Sequence, residues 1–143
     1  MSVGLKVTYL YHDIDLIEVR IKAENAAFRG SANVYVGTDG LVEAAAALEG
    51  FPKDRRDTRE VVFGASGPKF AGGSARFNFY CKDGAGHTAF RAEIEEDYRG
   101  RERAQCATVF VDFEPASLDR FLIELRQLEE KHLGTETLIT QAI

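Results

Sequence analysis

The chain has 143 residues and a formal charge of −5, a balance that disfavours non-specific binding to nucleic acid or to an anionic membrane. Hydrophobic residues make up 45% and charged residues 29%, which fills one core in a single domain over residues 1–143 without a disulfide or a structural metal. Neither a secretory apolar segment nor a membrane-length apolar run is visible, so a cytoplasmic location is expected, with Cys81 and Cys106 as reduced thiols.

Strict alternation predicts a first strand with Val3, Leu5, Val7, Tyr9 and Tyr11 on one face, broken by "HDID". A second strand sets Ile17, Val19 and Ile21 against Glu18, Arg20 and Lys22. A third carries Phe28, Gly30, Ala32, Val34 and Val36 on one parity until "GTDG" stops it. "DGLVEAAAALEG" then reads as a helix, with Thr38 or Asp39 to accept the free N–H groups of its first turn and Gly50 as the left-handed stop. The charged connection "FPKDRRDT" leads to a strand from Arg59 to Gly64, and "GASGPKFAGG" reads as a flexible loop.

Strands over 74–82, 87–98 and 104–113 come next, followed by a helix opened by Glu114-Pro115, where proline's missing N–H costs nothing. Leu118, Phe121, Leu122, Leu125 and Leu128 form its buried stripe and Gly134 its end. The tail "TETLITQAI" adds an edge strand or packs across the sheet. The fold class that results is α+β: a mostly antiparallel sheet of seven or eight strands, curved or sandwich-like, with two helices packed on it.

"FYCKDGAGHTAF", residues 79–90, sets a cysteine and a histidine around a glycine-rich turn, as a thiol nucleophile and its base would be. Register argues otherwise. Pairing Phe79 with Phe90, Phe77 with Ala92 and Ala75 with Ile94 gives one apolar face, and places Arg76 opposite Glu93 on the other. Cys81 then faces the core while His87 shares the outer face with Lys82, so the two cannot meet.

For the following hairpin, through "RGRER", the best apolar match pairs Phe90 with Phe113, Ala92 with Val111 and Ile94 with Val109. Its polar side then sets Arg91 opposite Asp112 and Glu93 opposite Phe110. A row of Asn78, Arg91 and Asp112, flanked by Arg76, Tyr80, Glu93 and Phe110, is the candidate binding surface. Arginine and aromatic side chains on a rigid sheet suit protein recognition, although cross-strand charges on a solvated face are also routine.

Other motifs carry less. "GPKFAGGS" has Gly73 where a phosphate loop needs its lysine, and a strand rather than a helix follows. His12, Asp13 and Asp15 offer three ligands without a fourth, a pattern shared with ordinary Asx turns. "EIEED" spreads Glu93, Glu95 and Asp97 beside Arg101 and Arg103, which reads as charge balance. No catalytic residue, cofactor or metal ligand is therefore assigned.

The order "F-x-G" (Phe28, Gly30), "LEGFP" (Leu48 to Pro52), a strand to glycine (Arg59 to Gly64), "C-x-D-G-x-G-H" (Cys81 to His87) and "LDRFLIELRQL" resembles a family of small bacterial proteins that includes immunity proteins of the WapI type. The resemblance implies a non-enzymatic cytoplasmic protein that neutralises a toxin by binding it, and brings no toxin-contact residues with it. The acidic charge suits a basic toxin as partner. Two other readings stand beside it. One is a small-ligand or enzymatic domain with a pocket near residues 64–73; the other is a self-associating domain whose tail, Leu138 to Ile143, completes a neighbour's sheet as a homo-oligomer.

Overall fold

A computed structural model describes residues 3–67 and 69–142. Its strands are β1 (Val3–His12), β2 (Leu16–Glu24), β3 (Arg29–Gly37), β4 (Arg59–Gly64), β5 (Ser74–Cys81), β6 (Thr88–Glu95), β7 (Cys106–Phe113) and β8 (Glu136–Thr140), with helices α1 (Gly40–Leu48) and α2 (Pro115–Gln127). The expected α+β class holds, as two four-stranded antiparallel sheets ordered β3-β2-β1-β8 and β4-β5-β6-β7.

Alternation builds both inner faces. Leu5, Val7 and Tyr9 of β1, Ile17, Val19 and Ile21 of β2, and Ala32 and Val34 of β3 are all buried. They face Phe63, Phe77, Phe79, Phe90, Val109 and Phe113 of the second sheet in one continuous core. The phenylalanines meet mostly edge-to-face or tilted, at centroid separations such as 5.6 Å for Phe77–Phe90 and 5.7 Å for Phe79–Phe113.

β3 touches all four strands of the second sheet, so it runs across them rather than along one. Gly30 permits that crossing, because a Cβ there would lie 3.0 Å from the Ala107 Cβ and 3.2 Å from that of Ile94. The expected inward Phe28 does not join the core. It precedes the strand in a turn where the Asn25 carboxamide accepts its N–H, and its ring is 68% exposed. Tyr11 likewise leaves the core face, because the β1 register shifts between Tyr9 and Tyr11.

The helices close the space that the crossed sheets leave open. Leu41, Ala44, Ala45 and Leu48 of α1, and Leu118, Phe121, Leu122 and Leu125 of α2, recur at helical spacing and are buried in the same core. An Arg126–Glu49 ion pair ties one helix to the other.

Asp39 occupies the N-cap of α1 without a side-chain bond, so the expected capping side chain is absent there. The stop is as expected, with Gly50 at φ +76°. The helix end is finished from a distance: the Arg59 guanidinium donates to the carbonyls of Ala47 (3.1 Å) and Glu49 (2.8 Å). Asp57 holds that guanidinium from the other side at 3.0 and 2.8 Å. α2 starts with Pro115 as expected but ends before Gly134, at Gln127, with a 3-10 turn over Leu128–Glu130. Gly134, at φ +93°, serves the entry to β8, donating its N–H to the Tyr9 carbonyl.

Candidate functional site

The β5–β6 hairpin has the expected register throughout, with Arg76 opposite Glu93, Asn78 opposite Arg91 and Phe79 opposite Phe90. Cys81 and His87 are accordingly kept apart. Cys81 is half-buried against the core, with its Sγ 3.6 Å from the Asp54 carbonyl. Burial, then the carboxylates of Asp57, Asp54 and Asp83, push its thiol pKa up, the opposite of what a nucleophile needs. His87 is exposed, and its Nδ1 lies 2.6 Å from the Asp83 carboxylate within the turn. That hydrogen bond, and then the charge of Asp83, raise the imidazole pKa and lower that of Asp83.

The β6–β7 pairing differs from expectation by two residues. Phe90 lies opposite Val111, Ala92 opposite Val109, Ile94 opposite Ala107 and Arg91 opposite Phe110. The reason is the turn. Arg101 donates its N–H to the Tyr98 carbonyl at 2.9 Å, and the central Arg99 and Gly100 have φ of +54° and +77°. Two successive left-handed residues match the twist of the strands they join, so the chain reverses at Tyr98–Arg101 rather than around Arg101, and two further residues on the β7 side are taken up before the Glu96 N–H meets the Gln105 carbonyl at 3.0 Å. A slip of two preserves both faces, so the inner and outer sets stand while their neighbours change.

Seven candidate residues, Arg76, Asn78, Tyr80, Arg91, Glu93, Phe110 and Asp112, do share the outer face of the second sheet. The central row is now Glu60, Asn78, Arg91 and Phe110 across four strands. Arg91 pairs along its own strand with Glu93 at 3.0 Å, not with Asp112. Asp112 lies opposite Ala89 and takes Lys82 at 2.7 Å, a bond that raises the Lys82 pKa. Phe110 is 54% exposed in the middle of this charge and Val62 of β4 48%. Lys82, placed on the outer face beside His87 but left out of the candidate set, belongs to the surface, as do Val62 and Thr108, which were missed. Parity alone finds Val62, since its neighbours Val61 and Phe63 face the core.

Where β3 crosses, the face ends in a cleft of about 390 Å3 lined by Val62, Ser66, Arg76, Glu93, Cys106 and Thr108, among others. The glycine-rich loop forms one wall. Glu95 holds it, accepting the Ser66 hydroxyl at 3.1 Å and the Gly67 N–H at 3.0 Å. Gly64, at φ +75°, and Gly73 lie against each other, and a Cβ on Gly64 would sit 2.4 Å from the Gly73 carbonyl. Gly73 in turn donates its N–H to the Asn33 carbonyl at 2.8 Å. Those glycines bring β3 against the second sheet.

The Asp13 carboxylate accepts the N–H groups of Asp15 and Leu16, both at 2.9 Å, so "HDID" is an Asx turn. These bonds also hold its pKa below the usual carboxylate range. Among the described residues no group of three or more His, Cys, Asp or Glu side chains is placed to hold a metal ion. The tail forms β8 against β1; Ile143 lies outside the described residues. Among the described residues no helix is long and apolar enough to cross a membrane. No family model matches the chain, and no curated protein or solved structure matches it either.

Proposed function

We propose that the chain is a non-enzymatic, cytoplasmic protein-binding module of the toxin-neutralising immunity type, engaging its partner through the outer face of the second sheet. The observation that carries this reading is Phe110, 54% exposed directly opposite Arg91 on a sheet face whose residues stand among charges. An aromatic ring and an arginine held by strand pairing suffer little ordering on binding, which favours them as anchors. Both Arg91 and Glu93 have side chains that are about two-fifths exposed, so a partner can displace their mutual pair at small cost. The net charge of −5 suits a basic partner, most concretely a cationic toxin domain.

A photo-cross-linking residue at position 110, introduced in the native host, tests this. A basic protein is expected to be trapped there, and a probe at the exposed Ile123 of α2 should leave it untouched. Arg91→Glu and Phe110→Asp should each weaken binding of the isolated partner by about tenfold or more. Equal trapping at both positions, or undiminished binding by both variants, would sink the reading.

The 390 Å3 cleft supports a second reading, a small-ligand site reached past the loop at residues 64–73. A fragment that shifts the amide resonances of Arg76, Glu93 and Thr108, and not that of Phe110, would favour it over the first.

A further inference from the structure

β8 is an edge strand with its outer side turned into a groove. Tyr9 donates its N–H to the Thr135 carbonyl at 2.9 Å, and the register runs on through Val7–Thr137 and Leu5–Ile139. Antiparallel ladders alternate, so Glu136, Leu138 and Thr140 direct their N–H and C=O groups away from β1. Thr140 shows that direction: its N–H is taken by the Ser117 hydroxyl of α2 at 2.9 Å. Leu138 and Glu136, one and two alternate positions back, have no such partner among the described residues.

The other terminal edge is treated differently. Along β7, the Asn25 carboxamide donates to the Phe110 carbonyl at 2.9 Å, Ala142 donates to Asp112 at 2.8 Å, and Gln141 bridges Phe113. Covering an edge is the usual protection against strand addition. β7 has that cover and the first four residues of β8 do not.

The space beside β8 is a groove of about 660 Å3 between the strand and α2. Leu138, Ala116 and Ala142 supply apolar surface, and Glu114, Glu124 and Glu136 line it against Arg120 as the one lining cation. Lys6 approaches Glu136 only at 3.7 Å, and Glu124 also accepts the Thr137 hydroxyl at 2.7 Å.

We propose that this edge is a strand-addition site for an extended basic segment of a partner protein. The segment pairs its main chain with Glu136 and Leu138, rests its apolar side chains on the face that carries Leu138, and turns its alternate lysines or arginines to the other face, where Glu124 of α2 meets the inward Thr137. Main-chain pairing supplies affinity and the alternating pockets supply selectivity. The site lies on the opposite sheet from Phe110 and does not depend on the function proposed for that face.

The full chain, labelled with nitrogen-15, is titrated with a blocked nonapeptide of alternating lysine and valine. Shifts are expected at Ser117, Glu136, Leu138 and Thr140, weakening as salt rises. The matching glutamate–valine peptide should leave them in place. Leu138→Pro removes the outward N–H without touching the β1 ladder, and should abolish the shifts. Glu136→Lys is a second variant that leaves the main chain alone, and it should weaken the response if the proline variant does not fold. Equal response to both peptides, shifts confined to the Arg91–Phe110 face, or no shift at β8 with millimolar peptide would overturn the proposal. So would a concentration-dependent dimer that shifts the same β8 resonances without peptide, since the occupant would then be a second copy.

Discussion

Arg59 stands between three tasks: it finishes α1, neutralises Asp57 and lies with its Cζ 5.8 Å from the centre of the Phe51 ring. The Asp57 hydrogen bond raises the guanidinium pKa, and the same bond lowers that of Asp57. Arg59→Met keeps the aliphatic stem and deletes the charged hydrogen bonds. With the side chain about a quarter exposed, a loss of about 1–2 kcal/mol in urea unfolding is expected. His87 and Asp83 make a pH-dependent pair of the same kind. The raised imidazole pKa gives stability that is complete below the unfolded value of about 6.5 and is lost as pH rises through the folded value. The depressed Asp83 adds stability that disappears as pH falls through its own folded pKa. The pair therefore supports the turn between those two limits. A nuclear magnetic resonance titration should place the His87 midpoint above the ordinary histidine value, and Asp83→Asn should bring it down. The two thiols separate by place rather than type: Cys106 is exposed and should react with a thiol reagent at once, while Cys81 should wait for local opening.

Elements were legible to different degrees. The first three strands announced themselves by alternation, whereas the tail that forms β8 read either as an edge strand or as a segment packed across the sheet; the β5–β6 register followed from matching apolar residues on one face and Arg76 with Glu93 on the other. The β6–β7 register did not, because residues 107–113 offer alternate apolar side chains that satisfy two registers equally on that criterion. The turn at Arg99-Gly100, together with the two extra residues taken up on the β7 side before Glu96 meets Gln105, decided between them, and an arginine at φ +54° has no strong sequence signature. Arg91 and Asp112 were consequently expected to be partners and are not. The cap supplied by Arg59 was illegible for a different reason, since it joins residues ten and twelve positions apart across a loop. α2 was the clearest element of all, its leucine stripe surviving intact. Leu125 is 1% exposed, and Leu125→Ala should cost about 2–5 kcal/mol, read from the midpoint of denaturant unfolding.

At the level of the whole molecule, local patterns established two helices and the strands, whereas the division into two crossed sheets rests on contacts between distant segments. Gly4 illustrates what is hidden. A Cβ there would meet Val111 Cγ1 at 2.6 Å, a constraint from residues more than a hundred positions away. The candidate face was legible as a set and not as a neighbourhood, because parity survives a slip of two and partnership does not. β8 carries Thr137 and Ile139 into the interior, each at most 1% exposed. Deleting residues 135–143 should therefore abolish cooperative thermal unfolding measured by circular dichroism; a truncated chain that still melts sharply would show β8 to be an accessory.

The pairing of β8 with β1 also sets an order of events in synthesis. Thr8 and Glu136 lie side by side although 128 positions separate them in the chain. β1 leaves the ribosome early and must hold an unpaired edge until the segment that covers it has been made, while β2 and β3 can join its other side at once. During that interval the nascent chain presents a three-stranded sheet with an open flank. Lys6, which in the finished protein lies beside Glu136 on the outer face, then stands at that flank without its carboxylate and with Lys22 of β2 as its cross-strand neighbour. A charge on an exposed edge discourages pairing with the wrong chain, so the same side chain guards the strand before its partner arrives and is matched afterwards.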